Sequence, residues 1–189
     1  MTRTNMDIKR SLRKWVAVFI VFASYLIVHE GTHWIYTMHL GVFKQFFFNY
    51  VGVGLDIDLE RMTDTQWGIC ALLGSLSTVV VAYILLAFIN KIVVLKSVFL
   101  RAIGYYITIG FLFADPIYMS ILYPYVGGGD MNGIRLLIPE MVARVIFGII
   151  LAVNLIIIWK IVYPKYTKAY QMTKKIEQRT VEKDKNAST

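Results

Sequence analysis

His29, Glu30 and His33 stand in the run His29-Glu30-Gly31-Thr32-His33, a spacing with which a helix presents two imidazoles and a carboxylate to one cation. Residues four apart share a helical face, so both rings can aim a nitrogen at the same point while Glu30 stands beside it. Such a pattern binds zinc and activates water for attack on a carbonyl. It closes an apolar run from Trp15 to Val28, a setting in which ionisable side chains are costly and mark function by default.

A catalytic zinc takes three protein ligands and keeps one position for water or substrate. Three residues compete for the third place. His39 follows His33 by six residues, the spacing of an extended motif in which a glycine turns the chain; Tyr36 occupies that glycine's place, so a continuing helix points His39 away. Asp115 matches the motif in depth. His29 is fourteen residues beyond Trp15 and Asp115 fourteen beyond Arg101, each about 21 Å along a helix. Asp115 can serve as a ligand, or as a hydrogen-bond partner of a ligating imidazole. Asp130 follows Gly127-Gly128-Gly129, a run free to carry a carboxylate back to the motif or simply to make a turn. Residue spacing leaves the choice open.

The elements that must position these groups are transmembrane helices. Hydrophobic residues make up 57% of the chain and charged residues 17%, with a mean hydropathy of +0.58, which lies outside the range of soluble domains. Four apolar segments, 15–38, 66–90, 98–123 and 141–163, are each long enough for a bilayer core that needs about 20 residues per helix. The expected fold is all-α and transmembrane, one membrane-embedded four-helix bundle over 1–163 followed by a basic tail, 164–189. Cys70 is the sole cysteine, which excludes an intramolecular disulfide and a cysteine-rich metal site.

Between the first two spans the chain changes character. From Phe46 to Leu59 it is aromatic and β-branched, with glycines two apart and an apolar/acidic alternation, which predicts a short membrane-associated β-hairpin. Its segment Gly52, Val53, Gly54 could hold an extended peptide by backbone pairing; an amphipathic interfacial loop is the plainer alternative. The small residues from Ala71 to Thr78 permit close helix approach. A short helix or re-entrant segment is expected over 130–138, and Pro116, Pro124 and Pro139 punctuate the later spans.

A net charge of +8 raises a nucleic-acid reading, which the distribution excludes: basic residues gather at the membrane edges. Lys91, Lys96 and Arg101 lie in the second connection, and Lys160, Lys165, Lys168 and further lysines follow the last span. The first connection is acidic through Asp56, Asp58, Glu60 and Asp64. An excess of lysine and arginine marks the cytoplasmic side, so both termini are expected there. The N-terminal basic and apolar stretch reads as an anchor, with no small-residue cleavage pattern closing it. The tail either touches anionic lipid of the bilayer or is solvated and partly disordered.

With these residues in view, the chain resembles the site-2 protease class of intramembrane zinc metalloproteases. Members carry HExxH in a transmembrane helix, a β-rich membrane-associated loop, a small-residue motif of Ala-Gly-Pro type in a following span, and a later aspartate after small residues. Here His29 to His33, Phe46 to Leu59, Leu72-Leu73-Gly74-Ser75 and Gly128-Gly129-Asp130 take those places. Ser75 stands where the family has proline, and Met131 follows Asp130 where it has glycine. The resemblance implies one catalytic Zn2+ on His29, His33 and Asp130, with Glu30 as general base and Asp115 as a polar residue orienting substrate or a ligand. It also implies a transmembrane protein substrate, peptide-bond hydrolysis, and room for a regulatory membrane partner. Two other functions use the same residues: a catalytically inactive zinc-binding membrane scaffold, and an ion transporter with the histidines and Asp115 along its path. The transporter expects inverted repeats, which the sequence lacks, and gives Glu30 no role.

Overall fold

The computed structural model describes residues 3–49 and 52–187. Its first helix, α1 (Arg3–Leu40), carries the apolar run and the histidine motif without interruption. Gly41 ends it at φ +67°, a conformation glycine adopts at no steric cost. There the Gly41 N–H donates to Met38 O and the Val42 N–H to Thr37 O, which satisfies the last carbonyls.

The predicted hairpin follows as β1 (Phe43–Asn49) and β2 (Gly52–Ile57), antiparallel, with Phe47 opposite Gly54 and Phe48 opposite Val53. Lys44 is the extra residue of a bulge near the start of β1. Trp34 of α1 meets Phe46 with ring centroids 5.9 Å apart and planes tilted by 50°, anchoring the sheet to the helix end. Phe46, Phe47 and Phe48 are exposed. Tyr50 and Val51, the tip of the expected hairpin, lie outside the described residues.

Thr63 starts α2 (Asp64–Ala87) with a capping box. Its side chain accepts from the Gln66 N–H, and the Gln66 side chain accepts from the Thr63 N–H. A single turn, α3 (Ile89–Ile92), leads to Ser97, whose hydroxyl caps α4 (Val98–Ile117). A π-type turn (Tyr118–Leu122), the short helices α5 (Tyr123–Val126) and α6 (Gly129–Ile134), and then α7 (Glu140–Ile157) follow. A second π-type turn (Ile158–Val162) joins α7 to α8 (Tyr163–Ala187). Among the described residues, four helical stretches are long and apolar enough to cross a membrane: Trp15–Leu40, Asp64–Ala87, Val98–Val126 and Glu140–Thr173. The protein is a membrane protein of helices with one two-stranded antiparallel sheet.

Two span boundaries depart from the sequence expectation, each beside a proline. The third and fourth segments were expected to end at 123 and 163, beside Tyr123-Pro124 and Tyr163-Pro164, yet in both places the helix continues. Each Tyr-Pro follows a π-type turn, whose wider ring makes space for the proline. The carbonyl that Pro124 leaves without its N–H belongs to Ser120 and accepts from Arg144 Nε at 3.2 Å. The basic tail is correspondingly helix α8 through Ala187 rather than disordered chain. The second span runs three residues shorter than expected at its C-terminal end, since Phe88 caps it ahead of α3.

Pro116 is accommodated by the same means inside α4. It frees the Leu112 carbonyl, which accepts from the Nδ2 of buried Asn154 at 2.7 Å, while Asn154 Oδ1 accepts from Tyr83 at 2.8 Å. Asn154 thereby ties α7 to α2 and α4 and compensates a backbone defect. Asn154→Leu, which leaves the buried Leu112 carbonyl unpaired and removes the acceptor of the Tyr83 hydroxyl, is expected to lower stability by about 1–2 kcal/mol. Denaturant unfolding in mixed micelles reads this, and an unchanged midpoint would contradict it.

The second span is the centre of the bundle: α2 packs against α1, α4 and α6. One apolar cluster joins Ala71, Met119, Met131, Ile134, Ala143 and Phe147 near the motif. The other joins Ala82, Ile89, Phe111, Leu112, Val162 and Tyr166. Along α4 and the π-type turn that follows it, Asp115 falls between Leu112 of the second cluster and Met119 of the first.

Candidate metal centre

His29 and His33 are buried on one face of α1, their ring centroids 4.9 Å apart and their planes at 76°. Their proximity follows from the four-residue spacing on an unbroken helix. Asp130, in the first turn of α6, reaches both: its Oδ2 is 2.9 Å from His29 Nε2 and its Oδ1 3.4 Å from His33 Nε2. The positive φ of Gly127 (+68°) and of Gly128 (+152°) turns the chain toward α1. Tyr118 holds that turn, its hydroxyl donating to Gly127 O at 2.6 Å. A Cβ at residue 128 would run into the same hydroxyl.

The donor set fits zinc. One ligand atom from each of His29, His33 and Asp130 lies within 4.8 Å of the others. Ligands held tetrahedrally at the usual zinc distances stand about 3.3 Å apart, close to both separations from Asp130. His33 Nε2 is buried without a hydrogen-bond partner, a defect that a metal would remove. Burial alone would push the Asp130 carboxyl up, but the neighbouring His29 and His33 imidazoles outweigh it and hold the group well below the usual carboxylate range.

Gly74 makes the space. A Cβ there would land on the His33 ring nitrogen and within 3.1 Å of His29 Nε2, so the two imidazoles lie directly against the α2 backbone. Close approach is repeated below Asp130, where Gly133 of α6 sits against Ala71 and the Trp67 carbonyl of α2. From the sequence, Gly74 carried only packing and the loose family motif. Cys70, one turn earlier, places its Sγ 3.6 Å from His33 Nδ1, a contact the sequence did not suggest.

Glu30 is half-buried beside His29 and outside the ligand group. His39 is exposed on the same continuous helix, as expected from Tyr36 at the place of a turn glycine. Asp115 is fully buried on the other side of the His29 ring, 3.5 Å from Nδ1, and accepts from Tyr25 at 2.7 Å and from Thr78. Gly52, Val53 and Gly54 lie in β2, where the Phe47 ring covers Gly54 and fills the space of a side chain. This gives Gly54 a packing role within the hairpin. No protein-family model, curated protein or solved structure matches the chain.

Proposed function

We propose that the protein is an intramembrane zinc metalloprotease of the site-2 protease class, hydrolysing peptide bonds of transmembrane protein substrates. The observation that carries this reading is the convergence of Asp130, from α6, on His29 and His33 beside a carboxylate, Glu30, that is not itself in the ligand group. His29, His33 and Asp130 would hold one Zn2+, which supplies a Lewis acid and lets water act as a nucleophile at neutral pH. Glu30 accepts a proton from the attacking water and delivers it to the amide nitrogen as the C–N bond breaks, yielding a carboxylate and an amine. The free edge of β2 offers backbone donors and acceptors to a substrate segment unwound from its helix, and the Phe47 ring keeps side chains off the sheet face at Gly54.

The concentration of lysine and arginine beside α3 and in α8 supports cytoplasmic termini, with the metal centre toward the opposite face. The test is cleavage of a model transmembrane substrate by the purified protein in liposomes, together with zinc analysis. Stoichiometric zinc and chelator-sensitive cleavage, restored by added zinc, are expected. Zinc without hydrolysis across varied substrates would overturn the protease assignment in favour of a metal-binding scaffold.

A further inference from the structure

We propose that Asp115 is the positioning residue of the metal centre: it holds His29 in the tautomer and orientation that turn Nε2 toward the ion. The inference rests on the metal-binding reading of His29, His33 and Asp130. Asp115 is wholly buried in an apolar bundle, and its only ion-pair partner among the described residues is His29. A carboxylate so placed is costly unless its lone pairs are used and a positive charge lies near. Three side chains meet it. Tyr25 of α1 donates to Oδ1, Thr78 of α2 donates to Oδ2, and His29 Nδ1 lies 3.5 Å from Oδ1.

Tyr25 also stacks on the His29 imidazole, with centroids 5.3 Å apart and planes at 22°. The ring is therefore held from three directions: its face by Tyr25, its Nδ1 edge by Asp115, and its Nε2 edge by Asp130. The Tyr25 hydroxyl, which donates to Asp115, also lies 3.4 Å from His29 Nδ1, so a proton on Nδ1, turned toward that hydroxyl and the carboxylate, leaves the Nε2 lone pair free for a metal and makes it more basic. His33 has no such support, since its Nδ1 faces the Cys70 thiol at 3.6 Å. His29 is thus the oriented ligand, and Asp115 connects the site to α4, an element that contributes no ligand.

The test measures zinc affinity by chelator competition and the visible spectrum of the cobalt(II)-substituted protein. It compares full-length wild type with Asp115→Asn and Tyr25→Phe. Asp115→Asn keeps the shape of the side chain and one of its two acceptor oxygens while removing the carboxylate. Its zinc affinity is expected to fall about ten- to a hundredfold, with shifted cobalt bands. Tyr25→Phe retains both Asp115 and His29 and is expected to show a smaller loss with shifted bands; it decides the matter if Asp115→Asn does not fold. Wild-type affinity and spectrum in the folded variants would overturn the inference and reduce Asp115 to a packing polar group. Absence of zinc binding by the wild type would instead overturn the metal reading, and the positioning role with it.

Discussion

Glu30→Gln is expected to lower the cleavage rate by about 10²- to 10⁴-fold, the contribution of a positioned general base, while zinc content stays at the wild-type level. Glutamine matches glutamate in shape and cannot take up the water proton. Glu30 follows His29 by one residue, so it lies about 100° round α1 from His29 and about 60° from His33, at the edge of the ligand face. The side chain therefore stands next to the His29, His33 and Asp130 group without belonging to it. Zinc analysis and cleavage of the model substrate, measured on the same preparation, separate the two effects. Retained cleavage would remove Glu30 from the mechanism, and lost zinc would show that it serves the ion rather than the water.

The next largest effect is expected from Gly74→Val, on metal binding rather than on proton transfer. The imidazoles lie where any side chain at residue 74 must begin, and α2 is buried there between α1 and α6, so the backbone has little room to withdraw. Forcing atoms into a packed site costs about 1–3 kcal/mol, a roughly five- to 150-fold loss if it falls on zinc affinity. Gly148→Ala is the matched control, because a Cβ at residue 148 meets Ser120 at an ordinary 3.7 Å. Full zinc affinity in Gly74→Val would show that the histidines need no contact with α2. Equal losses in both variants would make the effect a general one of glycine replacement.

These effects depend on residues that were visible in the sequence to different degrees. The histidine pair and Glu30 could be read at once, because their relation lies within two turns of one helix. The hairpin after that helix was legible for the same reason: period-two patterning acts over a few residues. Proline misled. Beside Pro124 and Pro164 the sequence indicated helix ends, whereas a widened turn and, for Pro124, Arg144 let the helix continue. A carbonyl's substitute donor comes from another helix, so no local pattern announces it. Asn154, which serves Leu112 in this way beside Pro116, gave no signal from its own neighbours.

By itself the sequence determined four apolar helices, a β-hairpin between the first two, and a pair of histidines at helical spacing deep in a candidate span. Hydrophobic length and helical periodicity are local properties of the chain, which is why these could be read without a fold. Tertiary structure decided which aspartate meets the imidazoles from the ligand side and which stands behind one of them. That outcome depends on α6 packing against α2 through Gly133 and Ala71, which brings Asp130 across 101 residues of sequence to His29. It depends equally on α4 packing against α1 and α2, which leaves Asp115 within reach of Tyr25, Thr78 and the far edge of the His29 ring. Contacts between helices far apart in the chain are set by packing the whole bundle, and residue spacing alone carries no such information.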